Sequence, residues 1–414
     1  MKHLTIKNVG PIKSVELDFK KYNFFIGAQS SGKSTIAKIF STCSWVEKEV
    51  STSLNEKAVR SGNDFKKLIE SFHKMNGYFN DNSYIRFETD SILIIYKRDD
   101  FQIMLKEGIN YTREKICYIP SERNMVSLQE LSDYKFEANN IKSFSFDWFT
   151  ARELYDSSNK AKILSLGVNY FFDKDELTNK DKIEHNNGQS YKIPLSCASS
   201  GLQSVVPLLV MMRYYTEDYF NLYDTKLSFD DSDKDKLMRK RLADELLLKP
   251  LFPSYNEDDR PKLIREIGDK LSAYEPEYVS LYHKYQEALN QLTIPKSTSF
   301  IIEEPEQNLF PYTQIQLIDY IISLCSNGRD HSITITTHSP YIINALNLHL
   351  LRYYKQSEYS CINPDDINVF SVQDGLIVNQ VMKNHATGYN SVNVDDLSEA
   401  MQDMYQEYKE LKSK

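Results

Sequence analysis

The chain is poor in residues that staple or ligate. Its 414 residues include five cysteines, Cys43, Cys117, Cys197, Cys325 and Cys361, scattered without the paired spacing of a metal site. An odd count with no framework points to reduced thiols and a cytoplasmic protein. Long apolar runs are missing too. No stretch reaches membrane-spanning length, and the N-terminal MKHLTIKNVG has no signal-type apolar core, so no membrane partner is expected. Positive charge is not in excess: 50 Lys and Arg stand against 58 Asp and Glu, a net charge of −8. That balance excludes a generally basic nucleic-acid surface and leaves room only for a local patch.

What remains is an ordinary globular composition, 41% hydrophobic and 26% charged, in a chain long enough for one elaborated domain or two. HLTIKNVGPIKSVELDF alternates as two strands joined at Gly10-Pro11, and a third strand, YNFFIG, runs into GAQSSGKST and a following helix. Residues 83–106 carry two or three antiparallel strands and EKICYIP a further one. Helices are expected from about Phe144 to Leu166 and again from Gly201. Residues 218–296 turn rich in charge and tyrosine and are broken by prolines. There Tyr274, Tyr278, Leu281, Tyr285, Leu289 and Leu292 form one helical stripe, expected to pack onto the main domain. TSFIIEE and SITITTH bracket a helix, the alternation of a parallel sheet. A C-terminal amphipathic helix aligns Leu397, Met401, Met404, Tyr408 and Leu411, again expected in the core. The fold class is α/β, a mixed N-terminal sheet plus a parallel core sheet, with 1–217 and 297–414 as the main domain and 218–296 as a helical insertion.

Gly27 to Ser34 fit G-x-x-x-x-G-K-[ST], a loop whose backbone amides cradle phosphates. Gly27, Ala28, Gln29, Ser30, Ser31, Gly32, Lys33, Ser34 and Thr35 are the candidate nucleotide contacts. Lys33 reaches the β- and γ-phosphates as a point charge, and the Ser34 hydroxyl is a Mg²⁺ ligand. The strand that enters and the helix that leaves are the context this chemistry requires, and ATP with Mg²⁺ is the expected ligand. Two adjacent carboxylates, Glu303 and Glu304, close an apolar strand, an arrangement that asks for a compensating cation. Glu303 is expected to hold Mg²⁺ and Glu304 to orient or deprotonate water; a solvated acidic turn with Glu306 is the alternative. His338 follows the next strand, either as a γ-phosphate donor or as a helix-entry residue.

SCASSGLQSVVPLL sets small hydroxyl residues at a helix start, and Ser200 as a plain N-cap is one reading of it. With LTIKNVGPIKSVELDF, GAQSSGKST, YIPSERN, ASSGLQS, FIIEEPEQNLFP and TTHSP in this order, the chain resembles the ABC-type ATPases of the SMC, RecF and OLD group. It is most similar to the stand-alone prokaryotic AAA-family ATPases of anti-phage defence. The resemblance implies an ABC-type P-loop ATPase head and a homodimer, or a higher even oligomer, joined head-to-tail by an ATP sandwich. In that arrangement Ser199, Ser200, Gly201 and Gln203 cap the γ-phosphate held by a second copy. Three departures stand out: Glu303 replaces the commoner aspartate, no Q-loop glutamine is evident, and the extra helical segment follows the signature. No acidic triad of Toprim spacing follows His338, so no nuclease activity is expected of this chain alone.

Three readings follow from these residues. The leading one is an ATP-driven dimer that switches a separate effector, expected from a neighbouring gene. Another is an ATP-gated DNA clamp, for which Lys234, Lys236, Arg239, Lys240 and Arg241 supply the basic residues. The third is a nucleotide-binding scaffold for a toxin or nuclease, with the tyrosine-rich 218–296 segment and the C-terminal helix as its docking surfaces. A metabolic kinase leaves the signature and the glutamate pair unexplained.

Overall fold

Alternation of buried and exposed positions builds the first sheet. β1 (Lys2–Val9) and β2 (Ile12–Phe19) pair antiparallel with Val9 opposite Ile12, so the turn falls at Gly10-Pro11. The computed structural model describes residues 2–53, 59, 61–98, 100–106, 111–128, 138–176, 180–186, 188, 190–221, 248, 249, 252–256, 258–326, 328–385 and 387–412. The basic run 234–241 lies outside them.

β3 (Tyr22–Ile26) leads through the glycine-rich loop to α1 (Lys33–Ser53), and α2 (Gly62–Phe72) follows. β4 (Phe79–Glu88), β5 (Ile92–Lys97) and β6 (Asp100–Leu105) complete the sheet in the order β2-β1-β4-β5-β6, antiparallel throughout. Leu4, Ile6, Ile85, Phe87, Ile92 and Ile94 form one buried cluster with Ile36, Ile39, Phe40, Cys43, Val46 and Val50 of α1. That three- and four-residue spacing is the apolar stripe the helix needs to sit on a sheet.

Between β7 (Glu114–Ile119) and the core's later strands come α3 (Asn140–Arg152), β8 (Ala161–Lys162), β9 (Val168–Phe172), β10 (Asp181–His185), β11 (Tyr191–Pro194) and α4 (Ser200–Arg213). The helix expected to reach Leu166 therefore stops at Arg152. Asp156 Oδ1 accepts from the backbone amides of Ser158 and Asn159 at 2.8 and 3.0 Å, a turn that competes with the helix, and β8 to β11 form a small antiparallel sheet.

α5 (Arg260–Asp269) and α6 (Pro276–Thr293) belong to the tyrosine-rich segment. The stripe of α6 does not pack onto the main domain as expected. Tyr278, Leu281, Tyr285 and Leu289 join Leu248, Phe252, Ile264 and Ile267 in a separate small core, with Tyr274 just ahead of the helix. The C-terminal end of α6 touches the strand layer, Arg113 N–H donating to Gln291 O at 2.9 Å.

The core sheet runs β15-β14-β3-β13-β12-β7, where β12 is Ser297–Glu303, β13 Ser332–Thr337, β14 Ile367–Gln373 and β15 Leu376–Asn379. Five strands are parallel, and β15 is an antiparallel edge. Their buried Ile- and Phe-rich runs suit a sheet covered on both faces, by α1 on one side and by α4, α7 (Pro311–Ser326) and α8 (Pro340–Tyr354) on the other. The chain ends with the β16 (Val381–Lys383) and β17 (Asn390–Val392) hairpin and with α9 (Asp395–Lys412). Met404, Tyr408 and Leu411 of α9 are 64%, 58% and 62% exposed, so this end of the face is not core; the side chains of Leu397 and Met401 lie outside those described. Among the described residues no helix is long and apolar enough to cross a membrane.

Two buried histidines set an acid limit on this fold. Burial pushes His73 down to about 3 and His331 down to about 4, with nearby lysines adding to both effects. The folded state keeps both rings neutral while the unfolded chain takes up protons near pH 6.5, so stability present above that pH is lost as pH falls toward 4. The urea midpoint is expected to be level from pH 8 to 7 and to drop by pH 5. His73→Phe should lessen the drop, and an unchanged midpoint at pH 5 would contradict it.

Candidate functional site

Parallel strands deliver their C-terminal ends to one edge, where loops can converge on a ligand. Registers Ile26↔Thr337, Glu303↔Thr336 and Ile302↔Ile119 bring four chain segments level there: the loop after β3, His338 after β13, Glu303 at the end of β12 and Pro120 after β7. The sequence candidates from residue 27 to 35, Glu303, Glu304 and His338 share this edge.

Gly27 has φ +150, and a Cβ there would stand 2.5 Å from Val372 O, so the loop leaves β3 in a way open only to glycine. Lys33 is 4% exposed and its Nζ donates back to Gly27 O at 3.0 Å and Ala28 O at 2.8 Å, holding the loop closed on itself. Burial lowers its pKa, against the opposing pull of Glu304 and Glu306. Thr35 is buried and Ser34 half-buried at the first turn of α1. A cavity of about 930 Å³ lies against Gly27 to Ser31, bounded by His338, Lys13 and the β14–β15 turn.

Glu303 is 3% exposed; its Oε2 accepts from Ser121 N–H at 3.4 Å, and its Oε1 has no hydrogen-bond partner among the described residues and stands 3.7 Å from Lys38 Nζ. Lys38 sits one helical turn beyond Ser34. Glu304 lies past the strand end with φ 44, a left-handed conformation costly for a residue with a side chain. Its N–H donates to Thr336 O at 2.8 Å, and its Oε1 is 3.5 Å from His338 Nε2. The pair is therefore split, one carboxylate buried beneath the edge and one half-exposed on it. Glu306 is no solvated third charge: its Oε1 accepts from His338 N–H at 2.6 Å and its Oε2 is buried without a partner. His338 directly precedes Ser339, the N-cap of α8, and also lines the cavity.

Sequence reasoning missed the residue that ties this edge together. Arg123 is fully buried and donates to five carbonyls: Ser204 at 3.0 Å, Pro120 at 3.3 Å, Glu303 at 2.8 Å, Glu304 at 2.8 Å and Pro305 at 3.4 Å. Burial pushes its pKa down to about 10, with the three glutamates pulling the other way. Its one sequence signal was position, just past a strand whose end reaches the same edge.

The serine-glycine turn stands apart from the phosphate loop. Ser199, not Ser200, caps α4, its Oγ accepting from Leu202 N–H at 3.4 Å. Both serines are exposed, and none of these residues lines the cavity beside the loop. Gly201 is pressed against the segment after the glutamates, since a Cβ there would stand 2.8 Å from Asn308 O. Gln203 spends both amide protons on Ser196 O at 3.0 Å and Ala198 O at 2.9 Å, which leaves it a brace for the turn.

With this geometry in place, the model of the AAA ATPase domain family matches residues 278–343, from α6 through β12, α7 and β13 into α8. No curated protein matches the sequence. Among solved structures the chain is similar to the SMC head domain from Thermotoga maritima, 10% identical with a TM-score of 0.37 over 91% of this chain and 97% of that one. It is also similar to the recombination mediator RecF, 11% identical with a TM-score of 0.31 over 91% and 97%. A dimeric post-hydrolysis ATP-binding cassette bound to ADP and phosphate is 11% identical, with a TM-score of 0.25 over 90% and 96%.

Arg123→Met removes the side-chain donor shared by carbonyls of three segments in a buried place, and a loss of about 3 kcal/mol is expected. Arg123→Lys, which restores part of the bonding, should lose less. Urea denaturation measures both, and equal stability of the methionine variant and wild type would count against the clamp.

Proposed function

We propose that the chain is an ATPase of the ABC type whose two copies close head-to-tail around ATP. One observation carries the reading: the phosphate loop, the split glutamates and His338 converge at one edge, while the two serines of the serine-glycine helix start are exposed and do not line their own chain's cavity. A helix N-terminus with small residues offers N–H donors that suit a terminal phosphate, and a second copy is the natural owner of that phosphate. Phe310 and Tyr312, 76% and 65% exposed just beyond Leu309, supply apolar surface beside the turn for such a pairing.

Within the site Lys33 leaves Gly27 O and Ala28 O to meet the β- and γ-phosphates, and amides of residues 28–34 line the phosphate path. The cavity next to the loop is of a size to take the nucleoside. Ser34 and Glu303 fit magnesium, since a hydroxyl and a buried carboxylate oxygen lacking any hydrogen-bond donor are the hard ligands it prefers. Bound with the nucleotide, the metal supplies positive charge at the β- and γ-phosphates. Glu304, held in its strained turn by Arg123 and Thr336, orients the attacking water and takes up its proton. His338, 3.5 Å from that carboxylate, donates toward the γ-phosphate. ATP-driven closure and reopening of the pair then switches an effector protein, and the resemblance to defence ATPases supports reading that switch as one of anti-phage immunity.

The test is Glu304→Gln with ATP and Mg²⁺. Turnover is expected to fall at least a hundredfold while nucleotide binding persists and dimers accumulate in light scattering. Ser200→Arg in the same background should abolish those dimers and spare nucleotide binding. A Glu304→Gln protein that stays monomeric with saturating ATP would sink the sandwich.

A further inference from the structure

The apolar positions of α9 repeat every three and four residues in the sequence. Leu397, Met401, Met404, Tyr408 and Leu411 occupy alternating d and a positions of a heptad, and Val394 just ahead of the helix extends the series by one more a position. Spacing of 3.5 rather than 3.6 is the signature of a seam between two helices, since a helix lying on a globular core uses a broader stripe. Over the described side chains of α9 the structure leaves this seam bare. Residues 403–412 are all exposed, and Met404 and Leu411 stand 64% and 62% open, although Val394 packs at the rim of the main core.

The flanking positions say what covers it. In this register Glu407 is at g and Lys412 at e, five residues later, which is the pairing that crosses between strands of a parallel two-stranded coil. The remaining flanking positions, Ser398, Ala400 and Tyr405, carry no charge, so no like-charge pair opposes self-association. Gln406 and Glu410 bond to each other at 2.9 Å on the opposite, outward face.

We infer that α9 pairs in parallel with α9 of a second copy of this chain, forming an interface independent of nucleotide. The contact is isologous and closes on itself. It is short, and its effect is to keep two heads at high local concentration, so that ATP closure becomes intramolecular. It stands whether or not the ATP sandwich does.

Site-directed disulfides test it in a Cys197→Ser, Cys361→Ser background, without nucleotide and with chelator present. Leu411→Cys places the thiol in the seam, opposite its own copy in a parallel pair, and is expected to give covalent dimer under mild oxidation. Gln406→Cys, on the outer face, is expected to stay monomeric, and adding Met404→Glu to Leu411→Cys should abolish the link. Absence of the Leu411→Cys link, or equal linking at residue 406, overturns the proposal, as does a link that Met404→Glu leaves intact. Light scattering of Glu304→Gln, Met404→Glu with ATP reads the head contact separately, and dimers there with no Leu411→Cys link would refute the helix pair alone.

Discussion

A single buried guanidinium holds the working edge of this protein in shape. Arg123 sends its donors to the end of β12, to the peptide of Glu304 and to Ser204, in the second turn of α4. Carbonyl oxygens at a strand end and in a helix are otherwise expensive to bury, and here one planar group satisfies several at fixed angles. Lysine, a point charge on a flexible stem, lacks the fork to do this. The consequence is mechanical: the backbone that carries both glutamates and the helix that displays the serine-glycine turn are fastened to one side chain. A second fastening runs parallel to it, as Asn308 donates to Ser204 Oγ at 3.2 Å and lies against Gly201.

Charge at the edge is balanced without being neutralised pair by pair. Glu303 has Lys38 near one oxygen, Glu304 has His338, and Glu306 has the backbone amide of His338. Lys33 spends its protons on loop carbonyls, though these glutamates hold up its charge against burial. Unmet acceptors therefore accumulate in one place, among them Glu303 Oε1, Glu306 Oε2 and Gln307 Oε1. Native proteins leave few such atoms, and a cluster of them beside a phosphate loop fits a site that is completed by a cationic, hydrogen-bonding ligand.

Much of this was legible from short-range pattern. The phosphate loop, the strand ahead of it and the glutamate pair are each specified within ten residues, and strand–helix–strand alternation orders β12, α7 and β13. What escaped the sequence was long-range or local in an unexpected way. Arg123 takes its acceptors from residues about eighty and a hundred and eighty positions away. The helix expected past Arg152 lost to an Asp156 turn, a competition that periodicity does not register. Both apolar stripes were read first as packing faces, with docking surfaces as the alternative, because a stripe reveals that a face is covered and not by what: that of α6 found α5, and the described part of that of α9 lies open.

The position of the serine-glycine turn follows from the same fastening. α4 enters the structure through Gly201, which packs so tightly against Asn308 that a side chain there would clash with its carbonyl. Gln203 locks the turn from inside by holding Ser196 and Ala198. Ser199 and Ser200 at this helix start are exposed, and under the proposed sandwich a turn fixed in this way lowers the ordering cost of meeting a second copy's phosphate. The Glu303–Glu304 peptide and this helix start are thus fastened to each other through Arg123 and Asn308.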